Sequence, residues 1–429
     1  MEVTNQIVHL YNIFLQYPSV QTDTRKLQKG DIFFALSGPN FNGSDFAVKA
    51  LELGASYAIV DKPIGINNER IIKVPDTLLA LQQLAKYHRQ QLNIPVLAIT
   101  GSNGKTTTKE LVSTVLASTL ITYTTKGNLN NHIGVPLTLL SIKPDAQIAV
   151  IEMGANHQQE IARYCEYTLP THALITNCGK AHLEGFGGIE GVRKGKGELY
   201  DFIRANGGTV FINWDYDYLQ TMSVGISNLI KYGSNEGDIV GNVIESNPFL
   251  KVGIKDQKAL SSITTQLVGD YNLPNVLCAV SVGRYFNISD EKIKSAIENY
   301  TPTNSRSQLI QKDSNSIILD AYNANPTSMK AAIENFANLA GEKKILFIGG
   351  MMELGETSVA EHEKIIELIK NNNWDKVVLV GGDFKRINHP FIYFNSSIEA
   401  KEWFIAQHFT NTSFLIKGSR SMQMEIIIQ

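Results

Sequence analysis

Apolar, β-branched runs alternate with amphipathic stretches along this chain of 429 residues, and several of the runs end abruptly in polar residues. The run 94–100 predicts a buried strand, the glycines that follow it predict a turn, and 105–117 has the apolar spacing of a helix. Further buried strands are predicted at 147–151, 172–176 and 209–213. Near-continuous apolar strands that alternate with helices indicate a parallel sheet with both faces covered.

Two more alternations flank this central one. Near the N-terminus, strands predicted at 31–36 and 56–60 enclose a helix at 44–53 that is capped by Ser44. Residues 214–265 are mixed and polar and predict only short strands. Beyond a polar joint, strands are predicted at 316–320, 344–350, 376–380, 391–394 and 412–416. This last pattern is doubly wound and Rossmann-like, but it lacks a GxGxxG fingerprint, so a nicotinamide or flavin cofactor has no support.

The turn after strand 94–100 reads Gly-Ser-Asn-Gly-Lys-Thr-Thr from Gly101 to Thr107. It matches the second half of a phosphate-binding loop, since Ile99 stands where the strict Walker A pattern has its first glycine. Such a loop directs backbone N–H groups at phosphates, while Lys105 adds a positive charge and Thr106 offers a hydroxyl to Mg²⁺. ATP binding is therefore the working hypothesis, and a glycine turn before a surface lysine is the alternative.

Polar residues also follow the other central strands. Glu152 closes strand 147–151, and His182 follows strand 172–176. Ligands bind beyond the carboxyl ends of parallel strands, so both side chains are expected in one crevice with the loop. A buried carboxylate needs a cation, either the Mg²⁺ that accompanies ATP or a nearby lysine. For His182 a structural role and a ligand role are equally open.

Length and charge narrow the classes of protein. A chain of this length predicts about three domains, and the α/β pattern divides it into a small N-terminal α/β domain (1–80), a central P-loop ATPase domain with a mainly parallel sheet (81–300) and a C-terminal Rossmann-like domain (301–429). With 39 basic against 41 acidic residues, nucleic acid is an unexpected partner. Three widely spaced cysteines without a CxxC pair indicate a reducing compartment. Without a signal peptide or an apolar run of membrane-spanning length, we expect a cytoplasmic protein with no membrane insertion.

Taken in order, the motifs resemble the Mur ligases, the ATP-dependent amide-forming enzymes of peptidoglycan precursor synthesis. The resemblance covers all three units and includes the absent first glycine of the loop. Its central motifs are 101–107, 127–136, 152–155, 176–184 and 194–198. Segments 320–326, 352–355 and 417–420 resemble the branch that attaches D-alanyl-D-alanine to a UDP-N-acetylmuramoyl-tripeptide, and 23–25 with 30–35 resemble its UDP-sugar-binding domain.

This resemblance implies a set of ATP and metal residues. Lys105, Glu152, His182 and Lys196 would be catalytic, with Thr106 and Glu152 on one Mg²⁺ and His182 on a second. Lys196 matches the lysine that family members carbamylate with CO₂. The residues expected to bind the nucleotide are Gly101, Ser102, Asn103, Gly104, Lys105, Thr106, Thr107, Asn275, Arg306 and Asp320.

The resemblance also implies where the other substrates bind. The residues expected to hold them are Thr24, Arg25, Asn128, Asn131, Asn323, Asn325, Lys417 and Arg420. From the residues alone, the loop with Arg25 is a phosphate site or a solvated turn. Tyr271 and Ser305 depart from the family pattern, which often has histidine and glycine there.

The resemblance implies amide-bond formation through an acyl phosphate. It also implies that the protein is a monomer. The rival within the family is the sister ligase that adds the third amino acid, which typically carries Asp-Asn-Pro-Arg; the tetrapeptide is absent here. A folylpolyglutamate synthase is disfavoured because residues 1–80 resemble a UDP-sugar-binding domain. A non-catalytic nucleotide-binding regulator would be expected to lose Glu152, His182 or Lys196, and all three are present.

Overall fold

A computed structural model describes residues 2–255, 260–303, 305–341 and 343–429. Over these ranges it contains three β-sheets, of four, nine and six strands, with helices packed between and around them. Residue 304 of the predicted polar joint lies outside the described residues. The α/β fold class predicted from the sequence, with a small first unit, a mainly parallel central sheet and a Rossmann-like last unit, is confirmed.

The first sheet is parallel, with strand order β1-β2-β3-β4. Its elements are α1 (Glu2–Gln16), β1 (Val20–Gln21), β2 (Ile32–Phe34), α2 (Ala47–Glu52), β3 (Tyr57–Val60), β4 (Ile71–Lys73) and α3 (Thr77–Gln91). Asp76 caps α3 by accepting a hydrogen bond from the backbone N–H of Leu79 at 2.8 Å. The apolar faces of α1 and α3 belong to one core with the central sheet, so the first two units share buried surface.

The central sheet has strand order β13-β12-β11-β10-β9-β8-β5-β7-β6. Its first elements are β5 (Val96–Thr100), α4 (Lys105–Ala117), β6 (Thr122–Thr124), α5 (Gly134–Leu140), β7 (Ile148–Glu152), α6 (Glu160–Thr168), β8 (His172–Ile175), α7 (Leu183–Phe186), α8 (Ile189–Asn206) and β9 (Thr209–Asn213). Every residue of β5, β7, β8 and β9 is buried, which is why these strands read as unbroken apolar runs.

The remaining central elements are α9 (Asp217–Met222), β10 (Asn228–Gly233), β11 (Ile239–Ser246), β12 (Phe249–Ile254), β13 (Ser262–Val268), α10 (Leu273–Tyr285) and α11 (Asp290–Asn299). The expectation of short strands over 214–265 is wrong, since β11 alone has eight residues. Strands β11, β12 and β13 form an antiparallel meander at the edge of the sheet. One face of this meander meets solvent, so polar residues interrupt its apolar pattern.

The third sheet has strand order β14-β15-β19-β16-β17-β18 and is parallel except for the edge strand β14. Its elements are β14 (Gln308–Lys312), β15 (Asn315–Asp320), α12 (Pro326–Asn338), β16 (Lys344–Gly349), α13 (Ser358–Lys370), β17 (Lys376–Val380), β18 (Ile392–Phe394), α14 (Ser397–Ala406) and β19 (Ser413–Lys417). Pro326 opens α12, where its missing N–H costs nothing.

Strand register brings the polar strand ends together. Ile99 pairs with Glu152 and Thr100 with Ile175, so the loop after β5 lies between the ends of β7 and β8. In the third sheet Asp320 pairs with Lys417. In the described part of the chain no helix is both long and apolar enough to cross a membrane.

The predicted cap at Ser44 is wrong. Ser44 lies within a 3-10 helix, Gly43–Phe46, and the side chain of Asn42 accepts a hydrogen bond from its backbone N–H. The hydroxyl of Ser44 contacts Asp61 at 3.3 Å instead. Serine and asparagine are both good caps, so composition alone does not decide between two such residues in one loop.

Candidate active site

A cleft of about 730 Å³ lies where the ends of β5, β7 and β8 face the third sheet. Most of the residues predicted to bind the nucleotide, metal or substrates line it. These are Ser102, Asn103, Gly104, Lys105, Thr107, Asn128, Asn131, Glu152, His182, Asn275, Arg306, Asp320, Asn323, Asn325 and Lys417. The sequence-predicted site is thus a single cleft shared by the second and third units.

The loop between β5 and α4 needs its two glycines. Gly101 has φ 141°, and a Cβ there would lie 2.0 Å from Oγ1 of Thr176. Gly104 has φ 79°, and a Cβ there would lie 2.8 Å from Oδ1 of Asn275. Asn177 fixes the loop from the neighbouring strand, accepting from the backbone N–H groups of Ser102 at 2.9 Å and Asn103 at 3.1 Å.

Helix α4 begins directly after Gly104, so its first backbone N–H groups lack partners within the helix and face the cleft end of the loop. Lys105 is the first helical residue, and its Nζ donates to the carbonyls of Gly101 at 2.6 Å and Ser102 at 3.1 Å. Burial lowers the pKa of Lys105 to about 8, although the charge of Glu152 opposes the shift. Backbone N–H groups and a lysine at a helix N-terminus form an anion site suited to phosphate.

Glu152 is 1% exposed and its two carboxylate oxygens have unequal surroundings. Oε1 accepts from Thr106 Oγ1 at 3.1 Å and from Asn130 Nδ2 at 2.8 Å. Oε2 is buried and has no hydrogen-bond partner among the described residues. An unpaired buried carboxylate oxygen beside a phosphate loop fits a divalent cation, because Mg²⁺ prefers one or two carboxylates together with phosphate oxygens.

His182 has a left-handed backbone (φ 53°) and places its imidazole against the third unit. Its Nδ1 pairs with the carboxylate of Glu353, which also has positive φ, and the contact with His182 holds the pKa of Glu353 below its usual range. Nearby, Lys180 Nζ donates to Glu361 Oε1 at 2.7 Å. The segment after β8 therefore joins the second unit to the third.

Lys196 lies in α8 behind the wall of the cleft and is 1% exposed. Its Nζ donates to the carbonyl of Ala155 at 3.0 Å and lies 5.0 Å from the ring centroid of Phe186. Burial lowers the pKa of Lys196 to about 7, and the charge of Lys105 acts in the same direction. A substantial fraction of this amine is neutral near pH 7, which is uncommon for lysine.

Asn275 and Arg306, which the sequence predicts to bind the nucleotide, both line the cleft. Asn275 accepts from Thr108 Oγ1 at 2.9 Å and donates to Asn272 at 2.9 Å, which fixes the start of α10 against the first turn of α4. Arg306 lies over the ring of Tyr322, 3.7 Å from its centroid. Arg306 Nε is buried without a hydrogen-bond partner among the described residues, so its guanidinium retains donor capacity.

Several predicted substrate residues make structural hydrogen bonds. Asn131 Oδ1 accepts from the backbone N–H of Gly134, the first residue of α5, at 2.8 Å. Asn325 caps α12 and donates to Asn103 Oδ1 at 2.7 Å, linking the third unit to the phosphate loop. Lys417 is fully buried and donates to Asp320 and to the carbonyl of Asn323. Asn323 itself uses Oδ1 to accept from the backbone N–H of Ala324.

Other predicted residues do not line the cleft. Gly101, Thr106 and Lys196 lie directly behind its surface. Arg420 is on a 3-10 helix after β19 and pairs with Glu425 at 2.7 Å. Thr24 and Arg25 lie in the loop after β1, where Arg25 pairs with Asp23 and leaves its side chain 87% exposed.

Sequence reasoning did not single out Asn130, Lys180 or Glu353. All three stand inside the motifs of the resemblance, so their positions in the chain were visible while their partners were not. Tyr216 and Tyr218 were also missed; their stacked rings form one wall of the cleft, and the backbone N–H of Cys178 donates to the Tyr218 hydroxyl at 3.1 Å. The sequence feature that could have identified them is their position just after strand β9, at the same sheet edge as the other cleft residues.

Comparison with known families accounts for nearly the whole chain. Residues 16–89 match the Mur ligase family catalytic domain. Residues 99–283 match the Mur ligase middle domain, and residues 305–417 match the Mur ligase glutamate ligase domain.

Individual relatives point to the same family as the domain matches. UDP-N-acetylmuramoyl-tripeptide–D-alanyl-D-alanine ligase of Escherichia coli K12 is 36% identical over 422 residues, which cover 96% of this chain and 93% of that protein. The Bacillus subtilis ligase of the same name is 37% identical over 84% of this chain and 79% of its own length. The crystal structure of MurF from Acinetobacter baumannii has a TM-score of 0.86 at 33% identity, with coverage of 96% and 92%. MurF of Thermotoga maritima, solved with ADP, also has a TM-score of 0.86, at 26% identity with coverage of 96% and 97%. Three matching family domains in order, together with relatives that are 36% and 37% identical over most of the chain, show that this chain belongs to the Mur ligase family.

Proposed function

We propose that this protein is an ATP-dependent, ADP-forming ligase that joins D-alanyl-D-alanine to UDP-N-acetylmuramoyl-tripeptide in peptidoglycan precursor synthesis. The observation that carries the proposal is the shared cleft, where the phosphate loop and Glu152 of the second unit face Arg306 and Asp320 of the third. Relatives that bear this activity in their names cover more than nine-tenths of the chain at over 30% identity.

The reaction requires an activated carboxylate. An oxygen of the terminal carboxylate of the tripeptide attacks the γ-phosphorus of ATP, the bond to the β-phosphate oxygen breaks, and ADP leaves. The amine of D-alanyl-D-alanine then attacks the acyl carbon, and phosphate leaves with the bonding electrons while the amine loses a proton. Lys105 and the N–H groups of α4 hold the nucleotide phosphates, and Arg306 approaches the transferred group from the third unit.

Thr106, Glu152 and His182 are the residues that would hold Mg²⁺, in two sites. Bound Mg²⁺ would offset the negative charge of the phosphate oxygens during transfer. The buried, unpartnered Oε2 of Glu152 supports the first site. His182, a cleft residue of the same sheet edge, supports the second.

Lys196 is proposed to carry a carbamate formed with CO₂. The neutral amine is the form that attacks CO₂, and a pKa near 7 makes that form available. A carbamate turns a buried cation into a carboxylate beside the cleft, which would support the metal centre from behind Ala155.

The three units are proposed to divide the substrates. Residues 1–80 would bind the UDP-sugar through the loop of Thr24 and Arg25, residues 81–300 would bind ATP, and residues 301–429 would close on the dipeptide. Asn275 would contact the base; Asn128 and Asn131 would approach the donor peptide, and Asn323, Asn325, Lys417 and Arg420 would serve the dipeptide or closure. We further propose a cytoplasmic monomer, a setting that suits the unpaired Cys165, Cys178 and Cys278.

Phosphate release with purified protein, ATP and Mg²⁺ tests the activity. UDP-N-acetylmuramoyl-tripeptide and D-alanyl-D-alanine are added singly and together, and the product is weighed by mass spectrometry. Turnover is expected only with both, with a product heavier by the dipeptide less one water.

Two other outcomes would overturn the assignment in different ways. Turnover with a UDP-muramoyl dipeptide and a free amino acid, and none with the first pair, would identify the sister ligase. Tight ADP binding without turnover for either pair would instead identify a nucleotide-binding regulator.

A further inference from the structure

The two oxygens of the Glu152 carboxylate are held in different ways. Thr106 and Asn130 both donate to Oε1, whereas Oε2 is buried without a partner in the described part of the chain. A carboxylate can exchange its two oxygens by rotating about its last side-chain bond. Two donors that converge on one oxygen oppose this rotation, and they leave the lone pairs of the other oxygen free for a cation.

Asn130 is itself held firmly in the loop before α5. Its carbonyl accepts from the backbone N–H of Gly154 at 2.7 Å, and its own N–H donates to Asn128 at 2.8 Å. A Cβ at residue 154 would lie 3.0 Å from Oδ1 of Asn130, so the glycine leaves just enough room for the amide. The Asn130 side chain therefore has a defined position relative to the end of β7.

The two donors differ in what else they do. Thr106 is a proposed metal ligand, and its hydroxyl can offer a lone pair to a cation while it donates its hydrogen bond to Oε1 of Glu152. The amide nitrogen of Asn130 donates only and does not compete for the cation. Asn130 also stands between Asn128 and Asn131, which are proposed to approach the donor peptide.

We propose that Asn130 is a positioning residue that orients Glu152 for Mg²⁺ and ties the donor-peptide loop to the metal site. This inference rests on the proposed function, because it assumes that a metal–nucleotide complex binds beside Glu152. Hydrogen bonds to metal-binding carboxylates typically change metal affinity 10–100-fold when removed.

The test measures nucleotide binding rather than turnover. Calorimetry gives the ADP affinity with and without Mg²⁺ for the wild type and for Asn130→Ala, and electron paramagnetic resonance gives the affinity for Mn²⁺ in the ADP complex. Asn130→Ala is expected to leave metal-free ADP binding within about twofold and to weaken Mn²⁺ binding by about tenfold. Asn156→Ala is the matched control, because this exposed asparagine lines the same cleft after β7 and is expected to leave both affinities unchanged.

A second variant guards against loss of folding. Asn130→Asp keeps the shape but faces Glu152 with a carboxylate oxygen, so its Mn²⁺ affinity is expected to change at least as much as that of Asn130→Ala. Metal-dependent ADP binding that is equal in the wild type and in both variants would overturn the inference alone. A wild type whose ADP binding does not respond to Mg²⁺ or Mn²⁺ would overturn the proposed metal site and the inference with it.

Discussion

Lys196 has surroundings that suit an amine able to react with CO₂. It is fully buried, its Nζ has a carbonyl partner, and the aromatic ring of Phe186 lies on one side. Burial disfavours the charged form of an amine, which is why its pKa falls to about 7. A carbamate there would replace the disfavoured cation with an anion close to the positive charge of Lys105.

Replacing Lys196 with alanine should separate catalysis from nucleotide binding. Lys196→Ala is expected to lower kcat by at least about 100-fold, because the proposed metal centre loses a supporting carboxylate. ADP binding, which depends on the loop and α4, should change by less than about threefold. Phosphate release and calorimetry measure the two quantities.

Chemical rescue with small carboxylates provides the control for Lys196→Ala. Acetate or formate should restore part of the lost turnover in Lys196→Ala, since either can enter the space left by the side chain and supply the anion. The same salts at the same concentration should leave the wild type unchanged. Absence of rescue, together with wild-type turnover in the variant, would remove the carbamate from the mechanism.

His172 provides a pH-dependent test away from the metal site. It is the first residue of β8, its ring packs beside Phe211, Tyr285 and Phe286, and burial lowers its pKa to about 4 from 6.5. The unfolded chain therefore binds a proton between pH 6.5 and 4 that the folded chain does not bind. The contribution of neutral His172 to the unfolding free energy is therefore fully present above pH 6.5 and is lost as the pH falls toward 4.

A glutamine at position 172 should remove this acid sensitivity. On going from pH 7.5 to pH 5, the wild type is expected to lose about 2 kcal/mol more unfolding free energy than His172→Gln. Urea unfolding followed by tryptophan fluorescence at both pH values gives the difference. An equal loss in the two proteins would mean that His172 titrates in the folded state as it does in the unfolded chain.

Single residues were predictable where the chemistry is local in sequence. Lys105 and Thr106 follow from the spacing of the loop, and Glu152 follows from its place at the end of a buried strand. Asn130 was not predictable, because its role depends on a contact with Glu152 across 22 residues. An asparagine in a polar loop has the same sequence signature whether it caps a helix, as Asn325 does, or donates to a carboxylate, as Asn130 does.

At the scale of elements, the loop between β5 and α4 depends on a backbone that only glycine allows. Gly101→Ala is expected to lower the unfolding free energy by about 3 kcal/mol, because a methyl group would overlap Thr176 in a conformation that L-residues avoid. It should also abolish measurable ADP binding. Thermal unfolding and calorimetry on the purified variant measure both effects.

Gly65 is the matched control for this substitution. It also has positive φ (70°), but a Cβ there meets no atom within 4 Å. Gly65→Ala should therefore cost only about 1 kcal/mol of conformational strain and leave ADP binding intact. Comparable losses of ADP binding in the two alanine variants would show that steric overlap at Thr176 is unimportant.

Elements with a buried, unbroken apolar pattern were predicted to within about two residues. Strands β9 and β17 have the predicted limits, since every or nearly every residue of each is buried. The meander β11–β13 was not recognised, because one of its faces is polar and the other packs on α10. Parallel strands buried on both faces therefore have a clearer apolar pattern in the sequence than antiparallel strands of the same sheet with one solvent-facing side.

At the scale of the molecule, polar contacts connect the second unit to the third around the cleft. Among them are Asn103 with Asn325, Lys180 with Glu361, and His182 with Glu353. The sequence indicated that both units serve one site, through motifs in each. It could not indicate these pairings, because Lys180 and Glu361 are separated by 181 residues and either charge alone is typical of a solvated surface.

The Lys180–Glu361 pair allows a test of whether these contacts help to assemble the active cleft. Glu361 is nearly buried and also accepts from Lys364 at 2.8 Å, so Glu361→Lys would bring three lysines together. This variant is expected to lower kcat/KM for the dipeptide about fivefold, the equivalent of about 1 kcal/mol. Adding Lys180→Glu to the same chain should restore kcat/KM to within about twofold of the wild type, because the pair is rebuilt with its charges exchanged.

The control for this exchange lies on the exposed face of α12. Lys330 and Glu334 form a solvent-exposed pair at 3.7 Å, so Glu334→Lys should leave kcat/KM unchanged while altering the net charge by the same amount and in the same direction as Glu361→Lys. Raising the salt concentration should also narrow the gap between Glu361→Lys and the wild type, since ions screen the added repulsion. If the doubly exchanged protein is no more active than Glu361→Lys alone, the pair does not couple the units, and the link through Asn103 and Asn325 becomes the stronger candidate for holding the third unit over the nucleotide.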